Sequence, residues 1–256
     1  MITFYLLRKF RDFLIELGDY ALLMLGICKF LPRTYKDRKL ILEQMVHIGV
    51  NSLILVSIIG LFTGAVSSWQ VAYQIKGFMP YAYIGTATPK AIIIELGPVL
   101  AAIVLAGRVG ASISAELGTM KVTEQIDALE SMGISPIRYL ALPKVVATTF
   151  MLPILVIYAS SVAIFGSYFV AVAFLDVPGA TFLSGFKHSF ALQDVLNATI
   201  KALFFGVTIS TIGCYVGFQT KGGAEGVGLS TIKSFVISAA MILALDALLW
   251  NFLIGS

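Results

Sequence analysis

ELGPVLAAIVLAGRVGASISAELGTMKVTEQIDALESMGISPIRYLALPK, residues 95–144, is the stretch whose reading decides the fold. It opens with a carboxylate, Glu95, inside apolar sequence, and runs through Leu100 and Leu105 to Arg108. The apolar phase ends near Glu116, and residues 121–132 form a short charged amphipathic segment. Gly133 can end that segment in a left-handed conformation and Pro136 prevents its continuation. A new apolar run begins at Tyr139. One spanning helix thus delivers a short helix to a membrane surface, and a second span takes the chain back.

Composition agrees. The chain of 256 residues is 58% hydrophobic and 12% charged, where a soluble domain carries about 25% charged residues. This is an all-α integral membrane protein, read as one membrane domain over residues 1–256. The net charge of +4 belongs to the loops and does not imply nucleic acid. Cys28 and Cys214 lie in separate apolar runs and read as small packed hydrophobes. His47 and His188 have no ligand partners at metal-binding spacing, so no metal site and no bound cofactor is expected. The first residues lack a cleavage site after a compact apolar core, so no cleavable signal peptide is expected.

Residues 1–45 form an N-terminal segment whose first part is helical with a mixed face. Phe4, Leu7, Phe10, Leu14 and Leu17 recur at helical spacing among Arg8, Arg11, Asp12, Glu16 and Asp19. Such a helix lies in the membrane interface. About five spans follow, near residues 47–74, 91–118, 139–175, 195–218 and 235–254, with a break at 77–89 and a flexible glycine-rich loop at 221–228. Ser52, Ser57, Gly60 and Gly64 let helices approach closely in the first span. Pro153 predicts a kink in the third. Of eighteen Lys and Arg, thirteen, Lys144 included, fall on the side of the N-terminus and of residues 119–138. Lys76, Lys90, Lys187 and Lys201 fall on the other side, and Arg108 is left within the membrane. The excess places the N-terminus in the cytoplasm and the C-terminus outside.

An ionisable group in hydrocarbon is a functional candidate by default. Glu95 qualifies, as do Arg108 and Asp246, which read as an interhelical structural pair. Glu95 and Arg108 are thirteen residues apart, about 20 Å on one helix, so they do not pair within it. Aromatics Phe62, Trp69, Tyr73 and Phe78 read either as an interfacial belt or as the mouth of an apolar cavity. In the surface segment, Val122, Ile126 and Leu129 share one face with Met132 alongside, while Glu124, Gln125, Asp127 and Glu130 occupy the remainder. The run KGGAEGVG at 221–228 does not satisfy GxxxxGK[ST], so the chain should not hydrolyse ATP alone.

Several motifs in order resemble the permease subunits of the MlaE, or MCE-associated, ABC transporter family. They are Glu95-Leu96-Gly97-Pro98, Ala106-Gly107-Arg108, Ala115-Glu116-Leu117-Gly118, Thr123-Glu124-Gln125-Ile126-Asp127-Ala128-Leu129 with Met132, Gly222-Gly223-Ala224-Glu225-Gly226-Val227-Gly228, and Leu245-Asp246. The resemblance implies a homodimeric phospholipid permease of the bacterial inner membrane, coupled to a cytoplasmic ABC ATPase that uses ATP and Mg, and to an MCE-domain lipid-binding protein. It implies that Glu95 lies at the lipid cavity; Leu96 and the four aromatics are expected beside it, near the bound lipid. It also implies that region 119–135 carries a coupling helix, Val122, Glu124, Gln125, Ile126, Asp127, Leu129 and Glu130 meeting the ATPase. Ile94 stands where the family often carries Arg. Two other readings compete: a membrane-embedded lipid enzyme, for which no HExxH or GxSxG is present, and a proton-coupled carrier using Glu95 and Asp246, for which no internal repeat is visible.

Overall fold

The computed structural model describes residues 2–77 and 79–253. Among them there is no strand. The helices are α1 (Ile2–Phe30), α2 (Arg38–Ile75), α3 (Tyr81–Val122), α4 (Gln125–Ser131), α5 (Ile137–Phe174), α6 (Gly179–Ser189), α7 (Leu192–Phe218) and α8 (Gly223–Leu253). Helices α2, α3, α5, α7 and α8 are each long and apolar enough to cross a membrane. The expectation of an all-α membrane protein with five spans holds. Phe78 and Ile254 lie outside the described residues.

Two boundaries differ from the sequence reading. The break at 77–89 is short: Tyr81–Tyr83 is a tight turn that runs directly into helix, and Pro89 sits inside α3. The glycine-rich run is mostly helix. Gly222 and Gly223 adopt positive φ and turn the chain, after which residues 223–228 form the first turns of α8. Lys221 and the glycines therefore make a tight corner, not a flexible loop. Pro153 is contained within α5.

Three short π segments interrupt the spans: Ile92–Leu96, Ala106–Gly110 and Ile137–Ala141. Two of them have a clear cause. In a regular helix the ring of Pro98 meets the carbonyl of residue 94, and that of Pro143 the carbonyl of residue 139. Taking up an extra residue just before each proline shifts that carbonyl aside. The signature bond is present, with Gly97 N–H donating to the Ile92 carbonyl and Leu142 N–H to that of Ile137. A π segment also re-aims the side chains it carries, and Glu95 and Arg108 both lie in one.

Packing rests on small residues. Helices α2 and α5 lie side by side along most of their length. A Cβ on Gly64 would overlap the backbone carbonyl of Ala163, so only glycine permits this approach. Near it, Ser68 and Ser167 exchange a hydroxyl bond of 2.7 Å. Lipid tails are as apolar as leucine, so close van der Waals contact and such bonds hold spans together.

The second half of α1 packs on the spans. Leu23 and Ile27 join the main core, Tyr20 bonds to Thr211 at 2.8 Å, and Tyr215 donates to the Glu16 carbonyl at 2.9 Å. Leu14, Ile15, Leu17, Leu22 and Leu25 remain exposed. The helix is thus amphipathic, with the bundle itself as the surface on which it packs. That end of the bundle also carries α4 and the ion pair of Arg138 with Asp37, 3.1 Å. Helix α6 lies at the other end, where Phe182 is fully buried against Ile84 and Val177.

Candidate functional site

Three spans meet at one buried cation. The Nζ of Lys201, on α7, lies 2.8 Å from Glu95 Oε2 on α3 and 2.8 Å from Asp246 Oδ1 on α8. Lys201 has no exposure to solvent, and its Nζ sits 5.1 Å from the ring centroid of Trp250. A buried ammonium is tolerated only where desolvation is offset by close, hydrogen-bonded counter-charges. Here two carboxyl groups from different helices share it.

This corrects three expectations. Lys201 does not lie on the far side of the membrane but ten positions into a span. Its i−4, i−3 and i+4 neighbours Asn197, Ala198 and Phe205 are all buried, so its face of α7 points into the bundle. Arg108 is not the one basic residue within the spans: Lys144 is 3% exposed and bonds Glu116 at 2.6 Å. Asp246 pairs with Lys201, and not with Arg108. The signal for Lys201 was available in that stripe of small and apolar residues, which a count of charges by loop does not consult.

The two carboxylates differ in access. The Asp246 side chain is 12% exposed and that of Glu95 is 38% exposed. Asp246 is therefore the internal counter-charge. Glu95 is the arm open to its surroundings, able to accept hydrogen bonds from water or from a donor on a ligand. The π segment at 92–96 aims it, and Lys201 fixes it.

Leu96 borders a small apolar crevice of about 10 Å³ together with Gly60 and Ala163. Phe62, Trp69 and Tyr73 are exposed on α2. Trp69 packs on Phe174, with ring centroids 5.8 Å apart. Phe78 is outside the described residues. Arg108 lines a cavity with Glu116 and Lys144.

The surface helix is shorter than residues 121–132. Val122 ends α3, Glu124 takes a left-handed conformation with φ 59°, and α4 begins at Gln125. Gly133, with φ 75°, closes α4: Ile134 N–H donates to the Leu129 carbonyl at 3.0 Å and Gly133 N–H to that of Glu130 at 2.9 Å. This paired pattern leaves the last carbonyls of the helix satisfied. Ile126 is 4% exposed and belongs to the chain's own core, with Leu129 packed against it. Ile126 is therefore not free to insert into a partner, which corrects its expected role. Glu124, Gln125, Asp127 and Glu130 are exposed. Lys121 holds Asp127 at 2.7 Å.

The sequence profile described as "Permease MlaE" matches residues 41–252. The chain is 37% identical over 228 residues to a "Probable ABC transporter permease protein" of Rickettsia felis, covering 89% of this chain and 88% of that one. It is 32% identical over 246 residues to the "Intermembrane phospholipid transport system permease protein MlaE" of Haemophilus influenzae, covering 96% and 94%. A "Probable ABC transporter permease protein" of Synechocystis is 39% identical over 206 residues, covering 80% and 78%.

Proposed function

Because the chain belongs to the MlaE permease family, we propose that this integral membrane ABC permease moves phospholipids, with Glu95 at the lipid path. It works as a homodimer in the bacterial cytoplasmic membrane, with α4 toward the cytoplasm. A separate cytoplasmic ATPase uses ATP and Mg and drives it, and an MCE-domain protein exchanges lipid with it on the far side. The observation that carries the reading is the Lys201 cluster. A carboxylate is held within the bundle by a fully buried ammonium yet remains more than a third exposed. A purely structural ion pair has no need to leave one arm open.

The arrangement suits a head group. Glu95 can accept hydrogen bonds from ammonium, hydroxyl or water, and Lys201 holds it in place. Exposed aromatics along α2 present apolar area for acyl chains, and a second copy facing this one would enclose the path. The Haemophilus relative is named for intermembrane phospholipid transport, which supports phospholipid as the substrate class.

The test is reconstitution of the chain with its ATPase in liposomes carrying a fluorescent phospholipid. Lipid movement should require ATP hydrolysis, persist with a protonophore present, and fall sharply in Glu95→Gln at unchanged protein content. Movement that ignores ATP and collapses with the proton gradient would instead establish the proton-coupled reading of Glu95 and Asp246.

A further inference from the structure

We propose a second lipid contact: the cavity around Arg108 binds the phosphodiester of a membrane phospholipid at the end of the bundle that carries α4. It lies about 20 Å along α3 from Glu95 and does not depend on the role given to that residue. The cavity has a volume of about 120 Å³ and is lined by Gln44 and His47 of α2, Arg108, Ser112 and Glu116 of α3, and Lys144 of α5.

Charge is the first argument. Lys144 is buried and spends its charge on Glu116. Arg108 is half-buried, and no hydrogen bond or ion pair links it to another described residue. The cavity therefore holds two cations against one carboxylate, and the unmatched charge is a guanidinium with five donors. A guanidinium within a span needs acceptors. Phosphate oxygens match its fork in a two-bond geometry. Gln44, His47 and Ser112 add hydrogen-bond donors to the lining.

Shape is the second. The volume admits a phosphate group but not a whole lipid, so acyl chains must lie outside. Beside His47, α2 exposes Val46, Val50 and Ile54, spaced four apart on one stripe. A phosphodiester in the cavity can lay its tails along that stripe. Free phosphate gains nothing from it.

The experiment uses the full chain in nanodiscs containing phosphatidylglycerol with a diazirine in one acyl chain. Photolysis should label the α2 peptide that contains Val46 and Val50. Arg108→Gln should lower this labelling about tenfold, the loss expected on removing charge-assisted bonds. Ser112→Leu fills the cavity without altering charge, sits at an exposed position, and should lower it as well. Excess inorganic phosphate should not compete. Labelling unchanged in both variants overturns the proposal, and so does full competition by inorganic phosphate, which would identify a free-anion site. Transport lost in Glu95→Gln with α2 labelling intact would separate this site from the one at Glu95.

Discussion

Lys201 and Asp246, 45 residues apart in sequence, are joined at 2.8 Å inside the bundle. Glu95 completes the cluster from a third helix, so a single side chain sets the relation of α3, α7 and α8. Lys201→Met would strand two carboxylates. Removing one partner of a buried ion pair costs about 3–5 kcal/mol, and thermal unfolding in detergent should show a loss of that order. Combining Lys201→Met with Glu95→Gln and Asp246→Asn removes the stranded charge and should recover most of the stability without recovering transport. A single Lys201→Met that melts like the parent would show that the cluster is not a structural tie.

At Gly64 the expected effect is steric. Its added Cβ would meet the Ala163 carbonyl, whereas a Cβ on Gly18 meets nothing within 4 Å. Gly64→Ala should therefore destabilise by about 1–3 kcal/mol, as overpacking generally does. Gly18→Ala in α1 should be neutral or slightly stabilising, since alanine favours helix by about 1 kcal/mol over glycine. Equal melting temperatures for the two variants would contradict the close approach of α2 and α5.

Lys144 and Glu116 supply an ordering test. Lys144 is buried, while the Glu116 side chain is half exposed. Glu116→Gln strands the cation in the bundle; Lys144→Met leaves the carboxylate in contact with water. The first should therefore melt lower than the second, by about 1–2 kcal/mol once solvent screening of Glu116 is allowed for. The reverse order would mean that packing around the Lys144 stem, and not its charge, holds α3 to α5.

The spans were legible because an apolar run of twenty residues has few alternatives. The end of α4 was legible too, since Gly133 and Pro136 leave a helix little choice. What the sequence hid were features that depend on neighbours. Lys201 looks like an outer-side lysine when charges are tallied by loop, and its two carboxylates come from helices far away in the chain. Arg108 and Asp246 looked like partners because both were charges in apolar runs, yet the pairing was settled by which face of each helix turns inward. Ile126 obeyed the amphipathic pattern of a docking helix, but the apolar face it marked belongs to the chain's own core. A pattern of period 3.6 shows that a face is buried without showing against what.

Helix α4 gives the last prediction. Ile126 is buried and Leu129 packs beside it, so Ile126→Asp would place a charge in the chain's own core. An unpaired buried charge is strongly destabilising, and this variant should lose membrane abundance before any partner is involved. The surface left for an ATPase is Glu124, Gln125 and Glu130, with Met132, which is 65% exposed. Asp127 is partly engaged by Lys121 and should matter less. Charges at the rim of an interface act mainly on association rate and salt dependence, whereas truncating a well-packed apolar anchor can cost about 2 kcal/mol. Glu130→Lys should therefore keep normal abundance and slow capture of the ATPase, most visibly at low salt. Met132→Ala should weaken the complex at every salt concentration. The measurement is ATPase pull-down from solubilised membranes at two ionic strengths, normalised to permease content. Normal capture by both variants would move the coupling surface away from α4, and an Ile126→Asp protein that accumulates normally would refute the inward placement of that side chain.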